Sequence, residues 1–260
     1  SEPLVDMPCI LKFDGDGQMW ICELVGYMPD VNGKGENIAQ GRIAILTDSD
    51  DDGRVDKRSI FLEKLLLPRS LYLLDDGILW ANQESLFFQG RDGNKPVGKR
   101  VMVDKDYARG GNVEHKANSL VLGLDNWIYN AKSDRRYKRT KDGWVMGKTH
   151  FRGQWGIDRD DYGRLFHNSN STLLVGDYTF PNVVYGNTNS KMKAGIAARI
   201  SDNRVWPIRV TPGVNRGYQR NTVSPENYKL INATGASGLT VFRSHGLGKD
   251  LYGTAFITEA

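Results

Sequence analysis

Asp16-Gly17-Gln18-Met19-Trp20, Asp76-Gly77-Ile78-Leu79-Trp80 and Asp125-Asn126-Trp127-Ile128-Tyr129 share one pattern. Each runs aspartate, glycine or asparagine, any residue, apolar residue, aromatic. Tyr162-Gly163-Arg164-Leu165-Phe166, with Asp161 just before it, is a looser fourth copy. The aromatic positions 20, 80, 129 and 166 lie 60, 49 and 37 residues apart. Asp-Gly and Asp-Asn favour tight turns and the residues after them are β-prone, so each copy reads as part of a hairpin. Hairpins recurring at roughly 40–50 residues are the signature of propeller blades. A second repeat agrees: Asp56-Lys57-Arg58-Ser59-Ile60-Phe61 is echoed 42 residues later by Gly98-Lys99-Arg100-Val101-Met102-Val103.

The extra length between the first two copies falls in residues 27–40, rich in Gly, Asn and Asp, which read as an inserted loop. Such loops on a rigid scaffold often carry function. Strands continue less regularly at 172–175, 182–185, 196–200 and 205–210, where Pro207 marks an edge or bulged strand. Residues 238–242 and 253–257 read as one more hairpin, and no apolar period of helical length stands out. The expectation is all-β: one β-propeller domain over residues 1–260, with four to five blades and an incomplete C-terminal end. Another part of the polypeptide, or another chain, would close it, because open sheet edges invite pairing.

Composition fits this reading. The chain has 260 residues, 39% hydrophobic and 10% aromatic, with 29 glycines, which suits short strands and turns. A net charge of +4, from 35 basic and 31 acidic residues, is too balanced to argue for nucleic acid. The densest basic run (Lys132, Arg135, Arg136, Lys138, Arg139, Lys141) reads as a solvated loop, or as a contact for phosphate or an acidic glycan. No apolar run approaches the roughly 20 residues of a membrane helix. No signal peptide stands at Ser1, so the expectation is a mature chain or a fragment.

Cys9 and Cys22 flank the turn signal Asp14-Gly15-Asp16-Gly17. A hairpin placing Phe13 opposite Gln18 also places Cys9 opposite Cys22, near the reach of a disulfide. That pairing predicts a cross-strand bridge and an oxidising compartment, periplasmic or extracellular. The alternative is a pair of buried free thiols in the cytosol.

Asp48-Ser49-Asp50-Asp51-Asp52-Gly53-Arg54-Val55-Asp56 sets Asp48, Asp50, Asp52 and Asp56 at positions 1, 3, 5 and 9 of a calcium loop, with glycine at 6. Ser59 stands where such loops carry a bidentate glutamate, and the flanks read as strands. An acidic turn neutralised by Arg54 and Lys57 is the competing reading. Zinc spacing, phosphate loops, dinucleotide fingerprints and a Cys-x-x-Cys-His haem site are all absent from the sequence.

His115 follows Gly110-Gly111 and precedes the apolar run 119–122, so its ring sits where a loop enters a strand. Imidazole titrates near neutrality and suits the abstraction of a hydroxyl proton. The bland reading is a histidine hydrogen-bonded to a neighbouring strand. A second polar set comprises Arg152, His167, Asn168 and Asn170, with Arg209 and Arg216 further on. Arginine forks recognise carboxylates, so this set is a candidate holder for a flat anionic ligand.

Glu114-His115, the run 119–123 and Asp125-Asn126-Trp127-Ile128-Tyr129 resemble the catalytic-histidine segment of soluble pyrroloquinoline-quinone (PQQ) dependent sugar dehydrogenases, which are six-bladed propellers. Residues 41–46, 48–58, 151–158 and 207–218 resemble more closely a bacterial membrane-bound dehydrogenase propeller domain of the PVC-type haem-binding family, often fused to a c-type haem domain. The likeness runs from about Pro8 to the end of the chain. It implies a quinoprotein dehydrogenase oxidising a sugar or other alcohol. His115 would be the general base and Glu114 its acidic neighbour, with electrons passing to a c-type cytochrome domain or protein. The quinone-holding Arg-Asn pair of the sugar enzymes has no clean copy here; His167-Asn168 with Asn170 is the nearest segment. A non-catalytic glycan- or protein-binding propeller is the alternative. A lactonase with an axial calcium would need more ligands than Glu114 and Asn118.

Overall fold

Asp14 accounts for the first copy of the repeat. Its Oδ1 accepts the backbone N–H groups of Asp16 (3.1 Å) and Gln18 (2.9 Å), and its Oδ2 accepts the Trp20 indole N–H at 2.9 Å. Gly17 takes the positive φ (+78°) that the turn requires. One carboxylate thus ties a turn to the ring that enters the core. Asp125 repeats this by accepting from Trp127 N at 3.2 Å and from the Tyr129 hydroxyl at 2.7 Å. In the fourth copy the acceptor is Asp160, which takes the N–H groups of Tyr162 (3.1 Å) and Arg164 (2.9 Å).

A computed structural model describes residues 4–187, 189, 195–206, 210 and 222–259. The first of two compact units, Ser1–Leu120, holds two four-stranded antiparallel sheets. One is the meander β1 (Pro8–Phe13), β2 (Met19–Glu23), β3 (Gly41–Thr47), β4 (Lys57–Leu65). The other is β5 (Leu71–Leu74), β6 (Gly77–Asn82), β7 (Ser85–Asp92), β8 (Lys95–Asp104). A 3₁₀ turn, Val113–His115, follows.

The second unit is Val121–Ala260. Its first sheet is β9 (Asn118–Leu122, spanning the unit boundary), β10 (Ile128–Ala131), β11 (Ser133–Thr140), β12 (Gly143–Arg152). The next is β13 (Ile157–Arg159), β14 (Leu165–Ser169), β15 (Thr172–Gly176), β16 (Ala198–Arg199). A hairpin of β17 (Ser237–Val241) and β18 (Ala255–Thr258) lies beside β13 and β14, where Val241 N donates to Asp158 Oδ2 at 2.9 Å. The architecture is all-β and of the propeller class, and the described residues hold four four-stranded antiparallel blades and almost no helix. All four copies of the repeat fall at the turn between the first and second strands of a sheet.

In the first unit the core joins Trp20, Ile43, Ile45, Phe61, Leu71, Ile78 and Trp80, and the Trp20 and Phe61 rings meet edge to face at 4.9 Å. Each such side chain contributes about 1.5–3 kcal/mol on burial. Gly77 is fixed by close approach: a Cβ there would stand 2.4 Å from the Gln89 carbonyl oxygen and 2.6 Å from the Phe88 ring. The last strand, β8, is exposed and carries Lys95, Lys99 and Arg100, charges that discourage edge pairing. In the second unit Val121, Tyr129, Ala131, Ile157 and Leu165 form the core.

Three expectations change. Cys9 and Cys22 are free thiols, so the expected disulfide is not formed. A register shift between Pro8 and Ile10 puts Ile10 opposite Cys22 and Phe13 opposite Met19. Cys9 Sγ instead donates to the carbonyls of Cys22 and Pro68, at 3.3 Å each. The oxidising compartment loses the support it drew from that bridge. The basic run is not a loop: Arg135, Arg136, Lys138 and Arg139 lie in β11, with the Arg136 guanidinium 4.1 Å from the Trp127 ring centroid. Residues 182–185 form turns rather than a strand. In the expected strand 205–210, Pro207, Ile208 and Arg209 lie outside the described residues.

Candidate functional site

Residues 107–116 carry the nominated base. Asn112 caps the 3₁₀ turn, its Oδ1 accepting from His115 N at 3.1 Å. The His115 and Glu114 side chains are 40% and 52% exposed, and His115 Nε2 stands 3.9 Å from Glu114 Oε2, beyond hydrogen-bond distance. The imidazole is therefore open to a solute on a backbone that is tied down. Tyr107 donates to or accepts from Ser70 Oγ at 2.9 Å, and Ala108 N donates to Glu84 O at 2.9 Å. Glu84 Oε1 accepts from Gly110 N (3.3 Å) and Lys116 Nζ (3.1 Å). The Lys116 ammonium beside it holds the Glu84 carboxyl below its usual range. Arg69, 1% exposed, donates from Nη1 to Val113 O at 2.9 Å and from Nη2 to Leu67 O at 3.2 Å. Burial lowers its pKa, and the charge persists. In the β2–β3 connection, Tyr27 has its hydroxyl pKa raised by burial, then by the Glu114 and Glu36 carboxylates.

The acidic loop joins β3 to β4. Ligand oxygens of Asp48, Asp50 and Asp52 lie within 4.8 Å of one another. Asp48 also accepts from Asp52 N (3.3 Å) and Gly53 N (2.8 Å), which curls the loop. Asp56 is engaged elsewhere: it accepts Ser49 N at 3.0 Å and Ser49 Oγ at 2.5 Å, and the Ser49 hydroxyl holds its carboxyl low. Three of the four expected ligands are together, and the chemistry of the set, carboxylate oxygens alone, suits a hard cation such as Ca²⁺.

The polar set around Arg152 is a buried staple. Arg152 Nε and Nη2 donate to Asp177 Oδ2 at 2.9 and 2.6 Å. Its Nη1 donates to Thr149 Oγ1 and His150 O, each at 2.9 Å. Asp177 Oδ1 takes Ala197 N at 2.9 Å. His167 is 6% exposed, and its pKa falls to about 4, first through burial and then through Arg152, against the opposing pull of Asp177. Neither ring nitrogen of His167 has a hydrogen-bond partner among the described residues. Asn168 gives its amide to Ala236 O at 2.6 Å, and Asn170 Oδ1 accepts from Gln154 Nε2 at 3.2 Å. Arg209 and Arg216 lie outside the described residues. A planar quinone with carboxylates needs free cationic forks. Here the one described arginine is neutralised, the histidine is neutral, and both are buried. The described part of the set does not fit PQQ, and Arg152 is corrected from ligand fork to internal ion pair.

Sequence reasoning missed Arg69, Glu84 and Asp177. Asn112 was open to discovery, because an asparagine three residues before the last residue of a short turn is a capping signal.

A family of sequences described as "Domain of unknown function (DUF7133)" matches residues 1–260. No curated protein matches the chain. Among solved structures, the chain is similar to a calcium-binding regucalcin from Agrobacterium tumefaciens strain C58, with 16% identity, 61% of this chain and 52% of that chain covered, and a TM-score of 0.43. The chain thus spans about half of that relative's length. A streptogramin B lyase is similar at 12% identity over 100% of this chain and 92% of that one, with a TM-score of 0.43. A virginiamycin B lyase from Staphylococcus aureus is similar at 14% identity, covering 69% of each chain, with a TM-score of 0.37. At these identities and scores none of the three bears on the chemistry of this chain.

Proposed function

We propose that this chain, which belongs to the DUF7133 family, is the propeller portion of an enzyme acting on a hydroxyl-bearing substrate, a sugar or other alcohol. His115 takes the hydroxyl proton and Glu114 biases the ring. The observation that carries the reading is an exposed imidazole on a turn held at Val113, Gly110 and Lys116 by Arg69 and Glu84. A solvent-facing base that does not need to be recruited from a mobile loop is suited to catalysis.

The finer reading, a dehydrogenase passing electrons to a c-type haem domain or protein in the periplasm or outside the cell, rests on the family resemblance. The described residues of the expected quinone-holding set do not fit PQQ, because Arg152 is paired with Asp177 and His167 is buried. Ca²⁺ would sit among Asp48, Asp50 and Asp52 in the loop between β3 and β4. The internal use of Arg152 and Asn168 takes away the nearest candidate cofactor holders, which leaves a glycan- or protein-binding propeller without turnover as the second reading.

A panel of sugars and alcohols incubated with the protein, an electron-accepting dye, Ca²⁺ and added quinone separates the two. Saturable dye reduction supports the enzyme. Saturable binding without reduction supports the binding module.

A further inference from the structure

We infer that Arg69 is a positioning residue for His115, a role that rests on His115 being the working imidazole. A guanidinium at 1% exposure is an expensive way to hold a surface turn. Both its hydrogen bonds go to main-chain carbonyls: Leu67 O, in its own connection between β4 and β5, and Val113 O, 44 residues after Arg69 in the connection between β8 and β9. Val113 opens the 3₁₀ turn that ends at His115. Arg69 therefore fixes the start of the turn to the β4–β5 connection. Glu84 fixes what flanks it, binding Gly110 N before the turn and the Lys116 ammonium after it. Two residues from separate connections clamp one three-residue turn, and a solvent-facing ring at its end is held on a fixed backbone. The Glu84 contacts are charge-assisted too, but Glu84 is 40% exposed where Arg69 is 1% exposed, so the Arg69–Val113 contact is the less screened of the two and the one whose loss moves the ring most.

The test uses the whole chain and does not need turnover. Arg69→Met keeps the volume and removes the donors; Arg69→Lys restores a cation; Glu84→Gln weakens the clamp from the other side without a buried change. The readouts are the His115 ring cross-peaks and their pH titration by NMR, and amide exchange across residues 112–116. In Arg69→Met we expect the His115 titration to move and exchange at 112–116 to rise tenfold or more, while β2, β3 and β6 keep wild-type protection. Arg69→Lys recovers part of the change, and Glu84→Gln gives a smaller change of the same kind. An unchanged His115 titration in a folded Arg69→Met protein overturns the proposal, as does exchange that rises equally in the core strands. If Arg69→Met does not fold, Glu84→Gln decides, and wild-type behaviour of His115 in it counts against the clamp. Absence of turnover in the wild type would defeat the enzyme reading while leaving these measurements to judge Arg69.

Discussion

Arg152 and Asp177 form a buried ion pair, with Arg152 Nη2 2.6 Å from Asp177 Oδ2 and the two side chains 1% and 0% exposed. The pair ties the end of β12 to the residue after β15, and it explains why a promising ligand fork is unavailable to a ligand. Removing one partner strands the other charge in a low-dielectric site. Asp177→Asn is expected to cost about 3–5 kcal/mol in urea denaturation, and replacing both residues with apolar ones of similar size much less. A loss below about 1 kcal/mol for Asp177→Asn would show that the pair is not a staple.

His167 makes stability depend on pH. Its folded pKa is about 4 against an ordinary value of 6.5, so the folded state keeps the ring neutral where the unfolded chain protonates it. This contribution is fully present above pH 6.5 and is lost as pH falls towards 4. Over that window it amounts to roughly 3 kcal/mol. Denaturation curves from pH 7 to 4 should show the decline, and His167→Gln should flatten it. An equal slope in the variant would assign the decline to other groups.

Asp14 should matter more than its place in a surface turn suggests. Its side chain is 3% exposed and accepts two backbone N–H groups and the Trp20 indole. Asp14→Ala is expected to cost about 1–3 kcal/mol by urea denaturation, with a change in Trp20 fluorescence.

Ca²⁺ at the acidic loop is checked by calorimetric titration of the wild type, Asp50→Asn and Asp56→Asn. Asp50→Asn should weaken binding at least tenfold. Asp56→Asn should change it little, because Ser49 already holds that carboxylate. The reverse order would put the ion elsewhere in the loop.

The blades could be placed from residues alone because the Asp-Gly turn is a local property. Trp20, Trp80, Tyr129 and Phe166 each follow their own turn by a few residues and enter the second strand of a sheet. What failed is non-local. The shift at Cys9 moves register by one residue and undoes a disulfide that turn counting supports. Arg136 and Lys138 look like a solvated loop until Trp127 is seen beneath them. Arg152 reads as a fork for a ligand because Asp177, 25 residues on, is invisible as its partner. Arg69 leaves no trace in Leu66-Leu67-Pro68-Arg69-Ser70, since what it holds is a main-chain carbonyl in another connection.

His115 as the proton acceptor is tested by His115→Ala and His115→Asn. The measurement is kcat/KM for dye-linked oxidation of the best sugar or alcohol, with denaturation curves recorded alongside. Both variants are expected to lose about 10²–10⁴-fold at unchanged stability, because His115 is exposed and outside the core. Full activity in His115→Ala would contradict that role.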